Sequence, residues 1–134
     1  GKSEGNGLYL YDDEKTITKK VMRALTDSGP KEPNSPMPDY IQNLFTLMAL
    51  VSEPVVIDQF KAAYADCSIR YGDLKKQLAA DICKFTLPIR ERIDDIYNND
   101  EFLRKVTRQG AEKARESAAA TLALARKAVG FKTF

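Results

Sequence analysis

The chain has 134 residues, 43% hydrophobic and 30% charged, with 21 basic side chains, 19 acidic ones and no histidine. That size and apolar content support one domain with a single modest core, and the charged fraction argues against disorder. Without histidine, a Cys/His zinc site and any triad or proton shuttle built on imidazole are excluded.

The opening Gly1-Lys2-Ser3-Glu4-Gly5-Asn6-Gly7 holds three of the seven glycines and reads as a loop. The chain starts without methionine, so further sequence is expected upstream. Leu8-Tyr9-Leu10-Tyr11 reads as a short extended segment, after which Asp12 and Asp13 cap the first helix. Ile17, Val21 and Leu25 recur with a spacing that predicts a short amphipathic helix, and Lys19, Lys20 and Arg23 suit its carboxy-terminal dipole. The helix should stop near Thr26-Asp27-Ser28-Gly29-Pro30, and the stretch from Pro30 to Pro38 holds four of the six prolines, an irregular connection.

A second helix is expected from Asp39 to about Val51, burying Tyr40, Leu44, Leu47, Met48 and Val51, with Ser52 as N-cap of the next. The third carries Pro54 in its first turn and turns Val56, Phe60 and Tyr64 inward. After a break from Asp66 to Gly72, a fourth begins around Asp73 and buries Leu74, Leu78, Ile82, Phe85, Ile89, Ile93 and Ile96. Pro88 should bend it, since proline cannot donate to the carbonyl of Lys84.

Asn98-Asn99-Asp100 closes that helix and caps a fifth, from Glu101 to Val129 with Gly130 as terminator, about 44 Å long at 1.5 Å per residue. Its alanines at 118, 119, 120, 123, 125 and 128 would let neighbouring helices approach closely. The expected fold is therefore all-α, a bundle of about five helices behind an irregular amino-terminal loop. Cys67 and Cys83 fall in apolar helical stretches and read as small buried hydrophobes. Tyr40, Phe60, Tyr64, Phe85 and Phe102 have core-like spacing, so none is assigned as a base-stacking platform. No apolar run approaches the roughly 18 residues of a membrane span, and no secretory start is evident, so a soluble cytoplasmic protein without membrane contact is expected.

Charge is asymmetric: residues 1–67 carry 7 basic and 10 acidic side chains (net −3), and residues 68–134 carry 14 and 9 (net +5). On an ideal helix Arg104, Arg108, Arg115 and Arg126 fall within about 40° of one another. The planar guanidinium fork suits phosphate and can stack on an unpaired base, so the stripe is a candidate nucleic-acid-binding face. Pairing with acids such as Glu91, Asp94 and Asp95 is the alternative use of the same arginines.

Gly1-Lys2-Ser3 places a lysine beside a glycine and a hydroxyl, as phosphate cradles do. A P-loop is disfavoured because Glu4-Gly5-Asn6-Gly7 makes a poor first helical turn. The triplet instead resembles the end of the mobile Lys-Met-Ser-Lys-Ser loop of class I aminoacyl-tRNA synthetases, with glycine at the middle position in place of serine. Further segments resemble the tryptophanyl-tRNA synthetases in order: Ile17-Thr18-Lys19-Lys20-Val21 leading to Ala24-Leu25-Thr26-Asp27-Ser28-Gly29, then Tyr71-Gly72-Asp73-Leu74-Lys75, Pro88-Ile89-Arg90-Glu91-Arg92, and Gly110-Ala111-Glu112-Lys113-Ala114-Arg115. Tyrosyl enzymes share the lysine loop, but their carboxy-terminal regions do not resemble the last of these.

The resemblance implies a homodimeric, tRNA-binding ligase that uses ATP with Mg2+ to activate tryptophan and charge its tRNA. It makes residues 1–11 a remnant of the lysine loop and its connection, and residues 12–134 a helical domain like the anticodon-binding one. Gly1, Lys2 and Ser3 would belong to the ATP site, with Lys2 directed at the phosphates. The nucleotide-binding catalytic domain, with its His-Ile-Gly-His-like motif and tryptophan pocket, would lie upstream. No complete catalytic set, metal or cofactor is expected on this chain alone, which should be inactive. The competing expectation is a helical protein-interaction adaptor or the equivalent region of a tyrosyl-type synthetase.

Overall fold

The computed structural model describes residues 7–131, which form α1 (Glu14–Met22), α2 (Asp39–Val51), α3 (Pro54–Ala65), α4 (Tyr71–Tyr97) and α5 (Asp100–Ala128). The predicted all-α architecture is the one that forms. Two compact units divide the chain, one ending at Glu91 and the next beginning at Arg92, so α4 contributes to both.

In the first unit each helix start has a local cause. Asp13 caps α1, its carboxylate accepting the Thr16 N–H at 2.7 Å. Pro54 opens α3, where its missing N–H costs nothing. Ile17, Ile41, Met48, Leu74 and Leu78 are the largest fully buried side chains, joined by Val21, Leu44, Phe45, Tyr64 and Ile82.

Several expected positions shift. Leu8 to Tyr11 is not extended: Leu10 and Tyr11 form a turn closed by the Asp12 N–H on the Tyr9 carbonyl at 3.0 Å. Leu25 lies beyond the end of α1 and is exposed, because the helix stops before its repeat recurs. On α2 the buried set is Ile41, Leu44, Phe45 and Met48, while Tyr40 is half-buried and Leu47 exposed. That helix is apolar nearly all round, so spacing alone allows two inward faces.

Ser52 does not cap α3. Its N–H closes α2 on the Met48 carbonyl at 2.7 Å and its hydroxyl meets the Asp81 carboxylate at 2.6 Å. Cys67 is not helical but sits between α3 and α4 with φ of 64°. Helix α4 starts at Tyr71, ahead of Asp73, and takes Gly72 into its first turn. It continues through Pro88, and two residues earlier the Thr86 hydroxyl donates to the Ile82 carbonyl at 3.0 Å. Phe85 and Ile93 are exposed rather than buried, and Ile89 and Ile96 are only half-buried.

Lys75 is buried, and its ammonium donates to the Ala24 carbonyl at 2.7 Å, the Thr26 hydroxyl at 3.0 Å and the Met22 carbonyl at 3.5 Å. A cation at the carboxy-terminal end of α1 meets both its orphan carbonyls and its dipole. Lys75→Met keeps the stem but strips these acceptors of their donor, so a loss of about 1–3 kcal/mol is expected. A urea midpoint unchanged from wild type would count against that role.

The second unit has a different character. Asn99 caps α5 by accepting the Phe102 N–H at 2.9 Å, and Gly130 follows its end with φ of 77°. No residue of α5 is buried, and of its residues Leu103 and Ala111 alone are half-buried.

Candidate functional site

Gly1, Lys2 and Ser3 lie outside the described residues. What the structure describes is the chain just after them. The Lys20 ammonium donates to the Gly7 carbonyl at 2.8 Å and pairs with the Asp12 carboxylate at 2.7 Å. The Tyr9 N–H reaches the same Asp12 oxygen at 2.9 Å, and the Arg90 guanidinium of α4 donates to the Asp12 carbonyl at 3.1 Å. Lys20, first, and the Tyr9 N–H hold the Asp12 carboxyl below its ordinary value. Beside this knot is a groove of about 620 Å³ edged by Leu8, Lys20, Arg23, Leu25, Tyr40 and Asn43.

In the same unit, Asp27 accepts the Gly29 N–H at 2.8 Å and the hydroxyl of Tyr40, one of the groove's lining residues, at 2.8 Å. Those bonds, with the Gly29 contribution the larger, lower its pKa. The buried Tyr71 hydroxyl reaches no hydrogen-bond partner among the described residues, and burial, with Asp27 nearby, raises its pKa far above the usual phenol value. This cluster ties the α1–α2 connection down, and nothing in it suggests proton transfer near neutral pH.

The four predicted arginines stand on one exposed helix. Arg104 and Arg126 are 22 residues apart, which is about 33 Å of α-helix, so they form a line rather than a pocket. Arg104 meets a local acid, Asp100, at 3.8 Å, and both side chains are more than four-fifths exposed. Such a pair contributes about 0–1 kcal/mol and opens readily to a phosphate. Arg108, Arg115 and Arg126 form no ion pair among the described residues. Phe102, read as core, is 41% exposed at the start of this helix.

Sequence reasoning missed the Lys20, Asp12 and Arg90 set. The sequence pattern marks Lys20 only as a dipole partner and Asp12 only as a cap, and nothing local announces a bond between Arg90 and Asp12, which are 78 positions apart. Among the described residues no cluster of histidine, cysteine, aspartate or glutamate could hold a metal ion, and no helix is long and apolar enough to cross a membrane.

Residues 1–86 match the tRNA synthetases class I (W and Y). Over 132 residues the chain is 59% identical to the tryptophan–tRNA ligase of Porphyromonas gingivalis, covering 98% of this chain and 40% of that protein. It is 33% identical to the corresponding ligase of Rhodopirellula baltica, with the same coverage of 98% and 40%. The crystal structure of tryptophanyl-tRNA synthetase from Campylobacter jejuni, complexed with ADP and tryptophan, has the same fold over 97% of this chain and 40% of its own, with a TM-score of 0.79 at 23% identity. The chain thus spans about 40% of the length of the relatives it matches.

Proposed function

Since this chain belongs to the class I tRNA synthetases of the W and Y group, we propose that it is the tRNA-contacting helical part of a tryptophan–tRNA ligase. The observation that carries the reading is the 59% identity to a tryptophan–tRNA ligase along 98% of the chain. The complete ligase would be cytoplasmic and homodimeric, activate tryptophan with ATP and Mg2+, and charge tRNA through a nucleotide-binding domain upstream. In this reading residues 1–11 belong to the lysine loop and its connection, and residues 12–134 to the anticodon-binding-like domain. ATP would supply the adenylyl group that activates tryptophan, with pyrophosphate leaving. Lys2 provides the fixed positive charge that suits phosphate oxygens, between the small Gly1 and the hydroxyl of Ser3.

Helix α5 supplies the tRNA face. Arg104, Arg108, Arg115 and Arg126 point from one side of a helix that buries none of its residues, so their guanidinium groups are not committed to a core. A line of arginines is suited to successive phosphates of an RNA backbone, with any base contact made to unpaired nucleotides.

Neutralising three phosphates releases counterions at about 0.7–0.9 per contact, which gives a log–log salt slope of roughly −2 to −3 for binding of cognate tRNA. Replacing Arg104 and Arg108 together by glutamine is expected to flatten that slope by about 1 to 2 without loss of helix content. Titrations at several salt concentrations with unchanged affinity and slope in the double variant would reassign the stripe to contacts within the ligase.

A further inference from the structure

We infer that the groove between the end of α1 and α2 is the docking seat for the rest of the ligase, filled by an apolar, acid-bearing element of the upstream domain. The inference rests on the reading of this chain as the downstream part of a longer tryptophan–tRNA ligase.

The floor of the groove belongs to the core, since Leu44 and Leu78 are both buried there, but its rim does not. Leu8, Leu25 and Leu47 line that rim, with Leu25 69% and Leu47 39% exposed. They come from three separate places: the turn before α1, the segment after it, and α2. Leucines exposed singly need no explanation, whereas an apolar set gathered at one opening and edged by polar groups marks a contact surface.

Polar groups at the edge describe the occupant. Lys20 is taken up by Asp12, and the Tyr40 hydroxyl by Asp27. Arg23 forms no ion pair, and the Asn43 side chain no hydrogen bond, among the described residues. No acidic residue lines the groove, so an apolar element that sets a carboxylate beside Arg23 fits it and a basic one is repelled.

Tethering favours the upstream domain over a second copy of the chain. This chain spans about 40% of the length of its relatives, so the larger part of such a ligase lies outside it. Leu8 stands at the amino-terminal edge of the described residues, so a domain joined upstream is held beside the groove. A short tether of this kind gives an effective concentration on the order of millimolar. A second copy has no tether and meets the groove only at its solution concentration.

The test compares amide exchange in this chain and in the full-length ligase. The peptide spanning residues 23–28 follows α1 and contains Leu25. Its exchange is expected to be about 10- to 100-fold slower in the ligase, the effect of covering one or two exposed leucines. Leu25→Gln combined with Leu47→Gln should return the peptide to the rate of the separate chain, while the urea midpoint of the chain itself changes little. Arg23→Gln should accelerate it several-fold in the ligase. Leu50→Gln makes the same chemical change on α2 at a residue 73% exposed and outside the groove, and should leave the protection intact.

Equal exchange of this peptide in ligase and chain overturns the assignment. So does full protection in the double variant or in Arg23→Gln, or an equal loss of protection in Leu50→Gln. If the double variant does not fold, Leu25→Gln decides alone, since Leu25 belongs to no helix. A chain that dimerises in sedimentation equilibrium, and stops doing so in the double variant, gives the groove to a second copy and overturns it as well. A full-length protein that protects the peptide but lacks tryptophan-dependent pyrophosphate exchange defeats the ligase reading and leaves the docking in place. An active ligase with an unprotected peptide defeats the docking alone.

Discussion

In the ligase proposed for the complete protein, Lys2→Ala is expected to slow tryptophan activation by about 100- to 1,000-fold, the usual effect of removing one preorganised charge or donor from a developing anion. The reason for selectivity is differential binding. Charge builds on the phosphates as pyrophosphate leaves, so a cation directed there stabilises the transition state more than the bound substrates. The tryptophan dissociation constant should consequently change by less than about twofold, with the loss in kcat and in kcat/KM for ATP. Lys2→Arg retains the charge but replaces a compact ammonium with a planar fork, and should recover only part of the rate. Pyrophosphate exchange beside an equilibrium tryptophan titration separates the cases, and equal losses in both would refute the role of Lys2.

Much of the helical framework was legible because its punctuation is local. The boundaries of α2 at Asp39 and Val51, the proline opening α3 and the asparagine cap of α5 all depend on residues within a turn of the boundary. Burial was less legible, since it depends on what a helix meets. Ile41 and Phe45 displaced Tyr40 and Leu47 on α2 because both sets satisfy the same period. The apolar pattern of α4 continues past Ile82 through Phe85 and Ile93, yet both of these are exposed. Periodicity records that a face is apolar and cannot say which turn finds a partner.

The candidate sites divide in the same manner. The arginine line on α5 follows from spacing alone, because every member belongs to one helix. The Lys20 knot does not, because Lys20 reaches back to Gly7 and Asp12 across the turn before α1, and the Arg90 bond to Asp12 closes only once α4 is packed there. Lys75 shows the same limit: its helix position was visible, but the Ala24 carbonyl it caps is 51 residues away. Residue type and spacing expose one-helix sites, whereas a site made by packing needs the fold first.

Leu78→Ala should be strongly destabilising, at about 2–5 kcal/mol. Leu78 is 0% exposed on α4 and belongs to the cluster formed with Ile17, Val21, Leu44 and Leu74. Truncation removes its transfer free energy and leaves a cavity, because close-packed neighbours relax only partly. Against a typical domain stability of about 5–15 kcal/mol, that is a large fraction. Leu122→Ala makes the same chemical change on α5, where Leu122 is 48% exposed, and should cost less than about 0.5 kcal/mol. Helix propensity cannot produce the contrast, since alanine is at least as good a helix former as leucine at either site. Urea unfolding of the two variants measures the difference. Equal midpoints for Leu78→Ala and Leu122→Ala would mean that α5 carries as much of the core as α4, and the description of its arginine face as uncommitted would then fail.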